Sequence, residues 1–327
     1  NQVPTDRKIM EQAPSQSRNV YATNSKSSDL LNGTLAVLSF LVIWFSSILS
    51  PFILLFAYLT GRYLLFLEVA GLMVVSTLEL PKVQAVKDFY VRYLPKYFKS
   101  CSLFYTVFPD EKQPTLYAIH PHGIFCLGWS MLYARPEFEH VHFCFSNVLY
   151  YSPFFRIICK LTGNSSKCDK TTILNHMRNK RSLALIPGGF EEATIHSNQT
   201  DRLFLKNRKG FIKYALQYGY SIVPIYVFGE KNTFSNLQGC WKLRLWLNSF
   251  GIPSIFPFGL WFFPVLPKRD EMGIHTVVGA PLQLPAIAQP TKEDVDKWHH
   301  QYCVLLKALF DKHKSQVNGG ASELELW

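Results

Sequence analysis

The 327-residue chain contains no Cys-x-x-Cys pair. Its cysteines stand apart at 101, 126, 144, 159, 168, 240 and 303, which excludes the spacing of a structural zinc site or a dithiol redox motif and suits a reduced, cytosol-facing chain. No Gly-x-Ser-x-Gly occurs, so the nucleophile elbow of a lipid hydrolase is missing. No Gly-Lys-Ser or Gly-Lys-Thr follows a glycine-rich turn, which excludes a nucleotide phosphate loop. Acidic residues are few, 23 against 34 Lys and Arg, for a formal charge of +11. A basic surface draws nucleic acid, anionic lipid or an anionic small molecule. With no zinc-finger spacing, glycine-arginine repeat or RNA-reading aromatic motif, no nucleic-acid partner is expected. An anionic membrane or a phosphorylated donor fits better.

Charge is missing altogether between Leu30 and Thr60. This apolar run exceeds the roughly 20 residues that cross a bilayer, and it lies too far behind a polar stretch to be an ordinary signal peptide. A second apolar stretch follows Arg62 and carries Glu68. Two arrangements fit: a long spanning helix with a weaker partner, or a re-entrant hairpin bent near Pro51 with both ends on one side. The expected organisation is a polar tail over 1–34, a membrane helix pair or hairpin over 35–78, and a globular domain over 79–327. Basic residues just beyond the apolar part, from Arg62 to Lys99, place the downstream side in the cytosol.

The globular part alternates strand and helix patterns. TLYAIH, VHFCFS, SLALI and SIVPIYVFGE read as strands; SPFFRIICKLTG, RKGFIKYALQYGY and about 291–313 read as helices. The expected fold is α/β with a mixed or mostly parallel sheet, its active groups at the strand C-terminal ends. Several groups at such ends can carry chemistry. His120-Pro121-His122-Gly123 closes the first of these strands, and a neutral imidazole there can accept a hydroxyl proton. Pro187-Gly188-Gly189-Phe190-Glu191-Glu192 closes another, where a Gly-Gly turn can offer backbone N–H groups to an anion. Arg202, Lys206, Arg208 and Lys209 form a basic cluster suited to phosphates or to a solvated face. Phe228-Gly229-Glu230 ends a further strand. His140 and His142 lack a third ligand nearby, and Cys126 reads as packing.

Taken in order, HPHG at 120–123, PGGFEEA at 187–193, RKGFIKYALQYGYSIVPIYVFGE at 208–230, VVGAPLQLP at 277–285 and PTKEDVDKWHHQYCVLLKALFDKHK at 290–314 resemble the type-two diacylglycerol acyltransferase family, which also holds monoacylglycerol and wax-alcohol acyltransferases. The resemblance covers roughly 35–314 and implies a membrane-anchored, glycerolipid-acyltransferase-like domain. It also implies an endoplasmic-reticulum enzyme, in some cases on lipid droplets, with its catalytic domain facing the cytosol. No cofactor or metal is implied; acyl-CoA is the donor, and the other partners are a neutral lipid acceptor and membrane lipid, with a homo-oligomer left open.

By the same resemblance, His122 is preferred over His120 as the base, Glu192 supports it, and Gly123, Gly188 or Gly189 contributes to an oxyanion site or a structural loop. Arg208 and Lys209 would meet the CoA phosphates; Phe228, Gly229, Glu230 and His299 would support the site, with Tyr302 as the late family tyrosine. Diacylglycerol is the favoured acceptor, with monoacylglycerol or a long-chain alcohol as alternatives and a noncatalytic lipid-binding protein as the competing class. The stretch 255–270 lacks the Arg-Gly of the family, and its aromatic run Phe256, Phe258, Trp261, Phe262 and Phe263 either lines the acceptor pocket or meets lipid.

Overall fold

The computed structural model describes residues 27–106, 108, 110, 112–250, 254–269, 272–318 and 322–327. Helix α1 (Ser27–Leu59) passes through Pro51 without a break. The chain reverses instead at Thr60–Arg62, where Arg62 N donates to Ala57 O at 2.8 Å, and α2 (Tyr63–Thr77) packs back along α1. The reversal between the two apolar helices is therefore at Thr60–Arg62 and not at Pro51. The proline removes one backbone donor and crowds the preceding turn, a local cost of about 3 kcal/mol. Unwinding an apolar segment would strand several backbone groups instead. Helix α1 also starts inside the stretch assigned to the polar tail. Its stretch Asp29–Ser46 is long and apolar enough to cross a membrane, whereas Leu49–Leu59 and α2 are shorter apolar helices.

Past α3 (Gln84–Tyr93) comes a seven-stranded sheet. Its strands are β1 (Cys101–Tyr105), β2 (Thr115–His120), β3 (His142–Phe145), β4 (Ser165–Lys167), β5 (Leu183–Leu185), β7 (Ser221–Phe228) and β10 (Ile274–Val278), with β6 (Asp201–Leu203) outside it. The order is β1-β10-β7-β2-β5-β3-β4, and every pairing is parallel except β10 with β7. Strands β2 and β7 are buried along their whole length, as their unbroken apolar sequences require of strands covered on both faces. One face carries α1 and α4 (Leu127–Tyr133) through Leu41, Leu127 and Trp129. The other carries α9 (Gly210–Tyr218) and α12 (Lys292–Asn318) through Ile212, Leu216, Tyr302 and Phe310. The parallel core places the C-terminal ends of β7, β2 and β5 side by side, so HPHG lies between the Gly-Gly turn and Phe228-Gly229-Glu230.

A buried polar cluster ties the last described segment to this core. Lys231 Nζ meets Asp201 Oδ2 at 2.6 Å, Tyr226 Oη donates to Asp201 Oδ1 at 2.9 Å, and Ser322 Oγ bonds both Lys231 and Asp201. Strand β11 (Leu324–Leu326) then pairs in parallel with β6. Asp201→Ala would leave the Lys231 ammonium buried and uncompensated. A loss of about 3–5 kcal/mol is expected on that ground, to be read as a lowered unfolding midpoint in detergent; an unchanged midpoint would contradict it.

Candidate active site

His120 and His122 are adjacent in sequence but have different surroundings. His120 is fully buried, its Nε2 hydrogen-bonded to Tyr302 Oη at 2.8 Å, and its Nδ1 has no hydrogen-bond partner. Burial pushes its imidazole down to about 3, so it is neutral at any working pH. His122 Nδ1 lies 3.0 Å from Gly123 O. A carbonyl only accepts, so Nδ1 carries the hydrogen and Nε2 is left with the lone pair that can take a proton. Burial also pushes His122 below the ordinary histidine range, with a smaller opposing pull from the Gly123 carbonyl and Glu191.

His122 lines a cavity of about 340 Å³ together with Cys126, Gly189 and Phe190. The cavity wall continues through Phe145, Leu149 and Phe155 to Phe40 and Trp44 of α1. His120 is not part of this wall.

Two buried carboxylates fix the loop between the histidines and α4. Glu192, in α8 (Gly189–Thr194), accepts from His122 N at 2.5 Å through Oε1 and from Phe204 N at 3.0 Å through Oε2. Glu230 accepts from Leu127 N at 3.0 Å through Oε1 and from Gly128 N at 2.8 Å through Oε2. Burial pushes both carboxyls up to about 7, against the opposing pull of those backbone donors. Two glycines make room for these clamps. Gly123 has φ +62, and a Cβ there would stand 2.5 Å from Glu230 Cγ; a Cβ on Gly188 would overlap the Glu192 carboxylate.

The sequence profile described as diacylglycerol acyltransferase matches residues 55–326. The chain belongs to the diacylglycerol acyltransferase family. Diacylglycerol O-acyltransferase 2 of Dictyostelium discoideum is 33% identical over 68% of this chain and 73% of its own length. Mouse 2-acylglycerol O-acyltransferase 1 is 30% identical over 69% and 72%. Human acyl-CoA wax alcohol acyltransferase 2 is 29% identical over 63% and 67%. These relatives act on different acceptors by name, so membership fixes an acyltransferase of this type without choosing the acceptor. No solved structure matches the chain.

Within this acyltransferase frame, the residues singled out from sequence fall into separate groups. His122 and Gly189 reach the cavity; Gly123, Gly188, Glu192 and Glu230 stand behind it. Arg208 pairs with Glu191, and Lys209 Nζ pairs with Asp296 at 2.6 Å, so each cation already has a carboxylate partner. Arg202 is drawn out of the basic cluster, pairing with Glu325 and lying over Trp241 and Trp327. Phe228 stacks on Phe310 in the core, and Gly229 turns the chain at φ +85. His299 donates from Nε2 to Leu205 O at 3.0 Å, away from the cavity.

The aromatic run 256–263 does not line the cavity, and its Trp261 is 96% exposed. Among the described residues no cluster of His, Cys, Asp or Glu is arranged to hold a metal. Sequence reasoning missed three things: the Tyr302 bond to His120, the α1 side chains in the cavity wall, and Cys126. The Cys126 Sγ lies 3.4 Å from His122 Nδ1. The four-residue step from His122 to Cys126 was its only sequence signal.

Proposed function

We propose that the protein transfers a fatty acyl group from acyl-CoA to the hydroxyl of diacylglycerol, forming triacylglycerol, with His122 as the base. The carrying observation is the cavity that joins His122 to Phe40 and Trp44 of α1. It gives an apolar acyl or acceptor chain a path from the apolar helix pair to the histidine on the cavity wall. In this reading Nε2 of His122 takes the acceptor's hydroxyl proton as its oxygen attacks the thioester carbonyl. The carbon–sulfur bond breaks, and the proton passes to the departing CoA thiolate. The oxyanion is received by the Gly189 backbone, which lies on the cavity wall. Arg208 and Lys209 exchange their carboxylate partners for the CoA phosphates.

The same reading puts α1 and α2 in an endoplasmic-reticulum membrane as a hairpin with both ends in the cytosol. Residues 36, 37 and 41 are buried, and Trp44 and Phe45 pack edge-on against Phe125, so that part of α1 lies on the domain. The projecting Leu49–Leu59 arm reaches about 16 Å at 1.5 Å per residue, roughly half of a hydrocarbon core about 30 Å thick.

The choice of diacylglycerol rests on the family and on the Dictyostelium relative. It is tested by competition in reconstituted lipid, with one acyl-CoA offered to equal diacylglycerol, monoacylglycerol and long-chain alcohol. Triacylglycerol is the expected main product; dominant wax ester or diacylglycerol would reject the acceptor while keeping the acyltransferase.

A further inference from the structure

Helix α11 (Trp241–Ser249) is amphipathic in the opposite sense to a water-facing helix. Its inward residues are polar. Arg244 and Asn248 are buried, Arg244 Nη2 donating to Ser254 O and Asn248 Nδ2 to Thr194 Oγ1, each at 2.6 Å. Its outward residues are Leu243, Trp246 and, just past its end, Phe250, at the three- and four-residue steps that form one helix face, and all are exposed. A helix that turns polar groups inward and Leu, Trp and Phe outward matches an apolar or interfacial surrounding, not bulk water.

A second feature carries the same chemistry. Gly259 N donates to Pro264 O at 2.7 Å and Leu260 N to Leu266 O at 2.9 Å, which folds the chain into a tight turn. Its tip presents Trp261 and Phe262 at 96% and 79% exposure. The turn and α11 are joined inward by one network, since Phe256 N and Arg244 Nη2 both donate to Asn236 Oδ1. None of these outward side chains lines the cavity beside His122.

We propose that α11 and this turn form a second membrane contact, in which Trp246, Phe250, Trp261 and Phe262 insert among the headgroups of a phospholipid surface. Place decides the occupant. Ile255 and Leu260, at the base of the turn, pack against the same hydrophobic cluster as Phe40, Trp44 and Phe45 of α1. Tryptophan and phenylalanine side chains exposed beside that helix suit the headgroup level of the bilayer it would enter. Of the five Lys and Arg over 231–269, Lys231 and Arg244 are buried, so charge does not set the headgroup type. The inference rests on the membrane placement of α1 and α2 proposed above. It gives the domain a second point of attachment, which would hold it against the membrane surface.

The test uses the full chain in phosphatidylcholine vesicles, with brominated phosphatidylcholine as the quencher. Subtracting the emission of Trp261→Phe or Trp246→Phe from that of the wild type isolates each tryptophan. The expected Trp261 component is blue-shifted and loses most of its intensity to the brominated lipid. A water-like, unquenched Trp261 component in a wild-type chain that floats with the vesicles overturns this contact alone. A wild-type chain that does not float in high salt counts against the α1–α2 anchor and against this contact together. A Trp261→Ser, Phe262→Ser double variant keeps the test independent of the Phe replacements. It should float as before yet show halved apparent mass in detergent only if a second copy covers the face, which would also overturn the proposal.

Discussion

His122→Ala is expected to lower turnover about 10²–10⁴-fold, the usual contribution of a positioned general base, while fold and membrane association are retained. The asymmetry of the two histidines makes this prediction specific. His122 lines the cavity, its Nδ1–H is committed to Gly123 O, and its Nε2 keeps only a 3.5 Å contact to Cys126 Sγ. His120 has its Nε2 on Tyr302 and is sealed in the core. His120→Ala should therefore act through stability and loop placement, with activity partly recovered in His120→Gln, which can keep a bond to Tyr302. No such recovery is expected for His122→Gln. The comparison is made on purified protein by turnover and by unfolding midpoint. Near-normal turnover in His122→Ala would remove it as the base, and an equal loss in His120→Gln would reverse the assignment.

Glu192→Gln is expected to lower turnover about 10–100-fold, the equivalent of roughly 1–3 kcal/mol for a buried donor left unpaired. Each Glu192 oxygen takes one backbone N–H, one of them from His122 itself. An amide offers one acceptor and one donor, so one of the two N–H groups would lose its partner and face another hydrogen. Protonating the carboxylate has the same effect, and this gives a pH prediction with a definite sign. The raised carboxyl is ionised above about 7 and is lost as pH falls through it. Activity that depends on the clamp is thus present above that value and declines below it. Burial holds His122 below the ordinary histidine range, so any acid limb of its own falls at lower pH. In Glu192→Gln the limb due to this carboxyl should vanish from the pH profile of kcat, leaving that of Glu230, which is also raised to about 7. A profile unchanged by the substitution would show that the clamp is silent in turnover.

The elements most legible in the sequence were those whose patterns needed no distant partner. TLYAIH and SIVPIYVF are unbroken apolar runs and became the fully buried β2 and β7. Because those two strands are neighbours in a parallel sheet, the motifs that end them had to meet, and the site followed from topology. Strands β1 and β10 were not read. Each has five residues, and each depends on pairing with a segment more than 150 residues away or on the antiparallel edge of β7.

Of the two arrangements left open around Pro51, the long helix forms, since an apolar segment tolerates one missing donor more readily than exposed backbone. Glu192 was expected to help position the base or its loop, and in the structure it holds the backbone N–H of His122. The roles of Tyr302 and Phe204 could not be read, because each acts across a contact that exists only once the sheet and α12 are assembled.

The central claim is that one enzyme couples thioester cleavage to ester formation at His122. Its most direct test is the stoichiometry of a single reaction. Purified wild-type chain is given labelled acyl-CoA with and without a neutral lipid bearing a free hydroxyl, and CoA release and acyl products are counted together. The account predicts one new ester for each CoA released, release that depends on the acceptor, and loss of both in His122→Ala. Free fatty acid formed at the same rate without acceptor, or labelled acyl-CoA bound and never consumed, would contradict it.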